Sequence, residues 1–310
     1  MTIAPIAVLG SINVDVTAYS DRLPKPGETI HGESYLLGLG GKGANQAAAV
    51  AKLGVGLAFF GRTGRDAFGI LARQELEKLG VALTHVAEDG AAGTGIAIIA
   101  VDAAAQNCIT VIAGANFTVG ARELAALAAL PVAPRVLLLQ LEVPIEVNIA
   151  AAKRVRAAGG IVILDPAPAP KNGLPPELLQ NVDIITPNEV ETAALTGAQP
   201  RNKTDARDAG MQLRRNGTQR AVIKMGALGA YWSDAHGEGS VPRFEVNAID
   251  TVAAGDCFNG GLAVALAEGK ALGEAVRFAS ACGALATTRR GAASAAATRA
   301  EVEALLASAR

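Results

Sequence analysis

Short, almost wholly apolar runs recur along the chain, separated by longer Ala-rich stretches with helical spacing. IAVLG (6–10), LAFFG (57–61), VLLLQL (136–141), IVILD (161–165), VDIITP (182–187) and AVIKMG (221–226) read as buried strands. Between them, ANQAAAVAKLG (44–54) and EVNIAAAKRVRAAGG (146–160) read as amphipathic helices, the second ending in a Gly stop signal. Strand–helix–strand alternation predicts an α/β fold: a three-layer αβα, doubly wound, mostly parallel sheet with right-handed crossovers. Ligands in such sheets bind beyond the carboxyl ends of the strands.

Two stretches break the alternation. VDVTAYSDRLPKPGETIHGESYLLG (14–38) and TGIAIIAVDAAAQNCITVIAG (94–114) each read as two strands with a polar connection. They predict a small four-stranded β lid over the crevice, inserted at about 15–37 and 94–114, or else an antiparallel extension of the main sheet's edge. Thr298 and Glu301 near the C-terminus form a capping-box pattern. No repeat or linker divides residues 1–310, so one domain is expected.

Composition narrows the class. Of the 310 residues, 50% are hydrophobic but only 4% aromatic, so Ala, Val, Leu and Ile must build the core. A formal charge of −1 without a basic run argues against a nucleic-acid partner. Cys108, Cys257 and Cys282 lack metal-site spacing and predict reduced thiols in a cytoplasm. The opening MTIAPIAVLGS reads as a first strand rather than a signal peptide, and no apolar run is long enough to span a membrane.

GLGGKGANQAAA (38–49) holds Gly38, Gly40 and Gly43 in G-x-G-x-x-G spacing. That fingerprint belongs on the first strand–helix turn, which GSINVD (10–15) occupies instead, although Asp66 lies near the distance expected of a ribose-binding acid. The glycines equally suit a close approach of backbone to a ligand or a purely structural turn, with Lys42 and Asn45 at a helix start. A P-loop is excluded, because Arg62 replaces the required lysine between Gly56 and Thr63. Asn13 and Asp15 follow the first strand and, by alternation, point the same way. Together they suit vicinal hydroxyls, and alone they are a turn. Glu142 follows its strand similarly. In TPNEVE (186–191), Asn188 and Glu191 share a face if Pro187 begins a helix, as ligands or as an ordinary helix cap.

TVAAGDCFNGGLAVAL (251–266) is the most telling segment. Ala253, Ala254 and Gly255 leave backbone N–H groups at a helix start unobstructed, which is an anion site. Asp256 beside it is either an N-cap or the carboxylate that takes a hydroxyl proton during phosphoryl transfer. The helix dipole is expected to keep it ionised.

GSINVDV, GGKGANQAAA, TPNEVE, DTVAAGDCFNGG and TRRGA, in this order, resemble the ribokinase family of sugar kinases over essentially the whole chain, QLEVP and DPAPAP included. The resemblance implies phosphorylation by ATP of the 5-hydroxyl of D-ribose. It implies sugar contacts from Asn13, Asp15, Gly41, Lys42, Asn45 and Glu142, Asp256 as base, and the backbone of Ala253 through Asp256 as anion hole. Asn188 would contact nucleotide phosphate and Glu191 help place Mg²⁺. Lys224, Gly226 and Gly229 would line the nucleotide, and Ser280 lie near the adenine. K⁺ would bind through Asp250, Val252, Ala286, Arg289 and Gly291, with a last ligand near Ser294 or Ala295. The lid would form a homodimer. Departures are Ser280 for the common His, Lys224 for the usual Thr, GAASAA (291–296) for GAQPS, and a lid turn, DAAAQN, without glycines. Rival readings are the same chemistry on deoxyribose, fructose or a nucleoside, a sugar sensor without turnover, and a nicotinamide-dependent dehydrogenase.

Overall fold

The computed structural model describes residues 5–170 and 172–309. The chain opens with β1 (Ile6–Leu9), β2 (Asn13–Tyr19), β3 (Ser34–Gly40), α1 (Lys42–Lys52), β4 (Leu57–Gly64) and α2 (Ala67–Lys78). Next come β5 (Val86–Asp89), β6 (Gly95–Val101), β7 (Asn107–Ile112), α3 (Ala121–Ala128), β8 (Val136–Leu139), α4 (Ile145–Ala157) and β9 (Ile161–Leu164). They are followed by α5 (Pro176–Gln180), β10 (Ile184–Ile185), α6 (Glu189–Thr196), α7 (Lys203–Arg215) and β11 (Arg220–Lys224). A hairpin, β12 (Ala230–Ser233) and β13 (Glu238–Val241), precedes α8 (Ala254–Ala267), α9 (Leu272–Ala286) and α10 (Arg299–Ser308).

Nine strands form one sheet in the order β13-β12-β11-β10-β9-β8-β1-β4-β5. Every pair from β11 to β5 is parallel, and β12 and β13 add an antiparallel edge. Period-2 alternation sorts the side chains onto two faces. Ile6, Val8, Phe59, Val136, Leu138, Ile163 and Val222 pack with α1, α8 and α9 in one core. Ala7, Leu9, Phe60, Leu137, Leu139, Val162, Leu164 and Ile223 pack with α4 and α7 in the other. Strands covered on both faces must be apolar at every position, which is why they read as unbroken runs.

The hairpin strands β12 and β13 and the short β5 escape the apolar-run criterion. AYWS, EGSV and VAED contain serine, glycine or acids: β13 and β5 are the sheet's edges, which tolerate them because one side meets water, while β12 lies just inside the β13 edge with Ser233 buried.

The two segments outside the alternation build a separate four-stranded sheet, β3-β2-β6-β7, rather than extending the large one. Its centre is a parallel pair, Asn13↔Gly95 through Tyr19↔Val101, flanked by antiparallel partners. It begins at Asn13 and ends at Gly40 on its first arm, slightly beyond the expected limits.

Candidate active site

β1 ends at Leu9, and Gly10-Ser11-Ile12 carries the chain into β2, so Asn13 and Asp15 lie on one face of the small sheet. The glycines opposite are steric necessities. A Cβ on Gly40 would lie 2.1 Å from Asp15 Oδ1, and one on Gly43 would lie 2.6 Å from Ser11 N. Gly41 has φ 87°, open to glycine at little cost. Gly40 and Gly43 thus serve close packing of chain against chain, whereas a Cβ on Gly38 would meet nothing within 4 Å. Asp66 is no ribose ligand: it caps α2 through Gly69 N at 2.7 Å and accepts from the Thr94 amide at 2.7 Å.

Gly41 has no side chain with which to cap α1, and Glu142 performs that task from the end of β8. Its Oε2 accepts from Lys42 N at 2.9 Å and from Ser11 Oγ at 2.5 Å, a carboxylate where the helix dipole favours one. Asn13 Oδ1 accepts from Asn116 Nδ2 at 2.7 Å, and Asn116 Oδ1 accepts from Ile12 N at 2.8 Å. Burial, reinforced by the charge of Glu142, pushes the Asp15 carboxyl up to about 6.

α8 starts from a strained residue: Ala253, its N-cap, has φ 56°, at a cost of about 1–2 kcal/mol for a non-glycine residue. The Ala254 amide makes a 3.3 Å bond to Thr251 O. Those of Ala253, Gly255 and Asp256 find no acceptor among the described residues. The expected anion hole is therefore three free amides rather than four. Asp256 does not cap its helix. It is buried, and its carboxylate accepts from Asn45 Nδ2 at 2.9 Å and Gln46 Nε2 at 3.1 Å.

Asp256 is a stronger base than a dipole-held carboxylate at a helix start would be. Burial outweighs other influences and raises its carboxyl to about 6, with Lys42 pulling it down and Asp165 pushing it further up. A dipole acts through partial charges, whereas removing the carboxylate from water acts on its full charge. Lys42 responds in kind. Burial lowers its ammonium's affinity for protons, but Asp256, Asp165, Glu142 and Glu191 together more than reverse that.

Three residues of this centre escaped the sequence reading: Gln46, Asp165 and Gln140. Gln46 Nε2 bridges the carboxylates of Asp256 and Asp165 at 3.1 Å each, and its Oε1 accepts from Gln140 Nε2 at 2.7 Å. Asp165 also accepts from Lys224 Nζ at 2.9 Å. One signal was available, since Asp165 follows β9 as Glu142 follows β8, an acid at the carboxyl end of a parallel strand. The two glutamines gave none: Gln46 sits inside an Ala-rich helical run like any polar helix position, and Gln140 is an uncharged amide at the end of an apolar strand.

Asn188 caps α6, which begins at Glu189 and not at Pro187. Asn188 Oδ1 accepts from Glu191 N, and Glu191 accepts from Asn188 N, both at 2.8 Å. The capping and ligand readings are compatible, because Glu191 is also close enough to Lys224 and Asp165 to feel their charges. Burial raises its carboxyl despite the pull of Lys224. Gly226 (φ 46°) and Gly229 (φ 87°) shape the turn after β11. Ser280 Oγ donates to Val276 O at 2.8 Å within its own helix. Asp250 joins two loops by accepting from Val252 N at 3.0 Å and Gly291 N at 3.1 Å. Ala286 O accepts from Arg289 N at 3.3 Å, the Arg289 guanidinium pairs with Glu301, and Ser294 Oγ lies against Gly291.

Residues 4–299 match the model of the pfkB family carbohydrate kinases. The chain belongs to the pfkB family of carbohydrate kinases. Among its relatives in that family, ribokinase of Haemophilus influenzae is 38% identical over 296 residues, covering 96% of each chain. Deoxyribokinase of Salmonella typhi is 36% identical over 255 residues, 82% of this chain and 83% of that one. The structure of Arabidopsis thaliana ribokinase complexed with ribose and ATP matches with a TM-score of 0.91 at 34% identity, covering 98% of this chain and 99% of that one. For a kinase of this family, the free amides of α8 and the buried Asp256 occupy one helix tip, facing Asn45 and Lys42 from α1.

Proposed function

We propose that the protein transfers the γ-phosphoryl group of ATP to the 5-hydroxyl of D-ribose, giving ribose 5-phosphate and ADP. One observation carries this reading: Asp256, oriented by Asn45 and Gln46, stands beside three unengaged amides. Asn13, Asp15, Lys42, Asn45 and Glu142, with the bare backbone of Gly41, hold the sugar hydroxyls. The 5-oxygen bonds to the γ-phosphorus as its proton passes to Asp256, and the bond to the β–γ bridging oxygen breaks as ADP leaves. A carboxyl near pKa 6 is largely ionised at neutral pH yet basic enough to accept the proton as the bond forms. The amides of Ala253, Gly255 and Asp256, assisted by Ala254, receive the phosphoryl oxygens. Asn188, Gly226, Gly229 and Ser280 border the nucleotide.

The charge balance fits Mg²⁺ arriving with the nucleotide. Asp165, Asp256, Glu142 and Glu191 all act on Lys42, and these carboxylates outnumber the ammoniums of Lys42 and Lys224. Glu191 would help hold the ion, which supplies charge neutralisation on the phosphates and usually takes only one or two protein carboxylates. Asp250 and the carbonyls of Val252, Ala286, Arg289 and Gly291, with the Ser294 hydroxyl, would offer K⁺ oxygen donors alone, the chemistry that hard cations take. The small sheet exposes apolar side chains on both faces, among them Tyr35 (75%), Leu36 (56%), Ile109 (55%) and Val111 (57%). A second copy of the chain covering them would make a homodimer through this lid.

A coupled assay over pentoses, hexoses and nucleosides, with and without K⁺, tests the reading. It expects ribose to give the highest kcat/KM. Deoxyribose is the second acceptor to weigh, because a deoxyribokinase is as close a relative as several ribokinases. Preference for deoxyribose would reassign the substrate, and absence of ATP consumption with every sugar would overturn the reading.

A further inference from the structure

Lys224 ends β11 and extends its side chain beneath the tip of α8. A Cβ placed on Gly255 would lie 3.3 Å from Lys224 Nζ, and among the described residues no other side chain comes as close to that position. Gly255 is therefore bare for a second reason, beyond leaving its amide open: a larger residue would crowd the ammonium. Lys224 is not free to swing away. Asp165 Oδ1 holds its Nζ at 2.9 Å, and both side chains are largely out of water, at 13% and 2% exposure. Asp165 is fixed in turn by Gln46 Nε2 at 3.1 Å, the same nitrogen that bonds Asp256.

A buried ion pair at this place has no structural need to meet. Lys224 and Asp165 lie at the ends of β11 and β9, on either side of β10, and apolar residues of similar volume would serve packing as well or better. What the pair does achieve is to fix a full positive charge against amides that carry only partial ones. During phosphoryl transfer, charge spreads over the three equatorial oxygens as the leaving oxygen draws away from the phosphorus and the attacking oxygen approaches it in line, so a cation fixed beside them acts on the transition state rather than on bound ATP.

We propose that Lys224 is a catalytic residue, its ammonium touching the transferred phosphoryl group at the tip of α8, and that Asp165 is the positioning residue that holds it there. This rests on the kinase reading above and assigns Lys224 a role beyond lining the nucleotide. Gln46, by sharing one amide nitrogen between Asp165 and Asp256, keeps cation and base in fixed register.

The test compares the parent protein with K224M and with the double variant D165N/K224M, which leaves no unpaired carboxylate behind if the single variant folds poorly. Thermal melting checks folding. Turnover on ribose and binding of ADP with aluminium fluoride, a mimic of the transferring phosphoryl group, are then measured beside binding of a non-hydrolysable ATP analogue. The expected result in both variants is a kcat at least tenfold lower. Affinity for the aluminium fluoride complex should weaken at least tenfold, and that for the ATP analogue less than about threefold. D165N alone should lower kcat with the same asymmetry, since the lysine is present but unheld. Equal weakening of both ligands, or a rise in KM with kcat unchanged, would reduce Lys224 to ordinary nucleotide binding and overturn the proposal. A parent protein that turns over ribose beside unchanged variants sinks this proposal alone, and a parent without turnover on any sugar sinks the kinase reading and this one together.

Discussion

The two sheets of this protein are built from similar residues and used in opposite ways. In the large sheet, strands such as β1 and β8 are buried on both faces at every position. In the small sheet, β7 is exposed along its whole length, though its sequence, NCITVI, carries the β-branched run Ile109 to Ile112. Hydrophobic sequence forms strands in both places, but only helices on both sides turn a strand into core. The large sheet is therefore rigid enough to aim side chains at a reaction. The small one carries Asn13 and Asp15, proposed here to meet the sugar, at its base and exposed apolar surface at its tip.

The comparison breaks most sharply at the catalytic end of the body. Asp256→Asn should lower kcat roughly 10²- to 10⁴-fold while leaving ribose affinity, read by calorimetry, mostly intact. Near-normal turnover would remove Asp256 from its role. Next in size is Leu138→Ala in the centre of the large sheet, expected to cost about 2–5 kcal/mol in denaturant unfolding because the cavity forms between fixed layers. A cost below about 1 kcal/mol would show that the body is less tightly packed than its burial implies.

A third probe uses pH. The folded carboxyls of Asp256 and Asp15 lie near 6, above the ordinary 3.8. A raised carboxyl binds protons more tightly folded than unfolded, so its contribution to stability declines as pH rises from about 4 to about 6. Activity should run the other way, since the base must be ionised: kcat/KM is expected to fall as pH drops through about 6. In Asp256→Asn, the melting temperature should fall less steeply over the same interval. A kcat/KM profile flat down to pH 5 would contradict the burial argument.

The smallest effect on the body is expected at the tip of the small sheet. Ile109→Asp should change the stability of the isolated chain by less than about 0.5 kcal/mol, because Ile109 is already 55% exposed. The same change should shift sedimentation from dimer toward monomer, and a sedimentation coefficient that does not depend on it would rule out this surface as the interface.

Much of this was legible along the chain because it follows from local rules. The apolar runs mark the central strands, the Thr298–Glu301 pattern forms the cap it predicts, and Asn13, Glu142 and Asp256 stand where elements begin or end. The hairpin at the rim of the large sheet was less legible, since β12 and β13 mix serine, glycine and an acid with their apolar residues. Gln46 was invisible for a related reason: its importance lies in what stands opposite, and Asp256 is 210 positions away.

Sequence by itself determined the central strands of the large sheet, that the core would be mainly aliphatic, and that bare backbone would meet a carboxylate at Gly255-Asp256. These depend on neighbours within a turn or a strand, whose spacing is fixed by covalent geometry. Only the tertiary structure decided that Asp256 is buried enough to raise its carboxyl to about 6, that one glutamine joins two acids, and that Lys224 meets Asp165. Desolvation and pairing are properties of what surrounds a group in space, and the chain brings those surroundings together only when it folds.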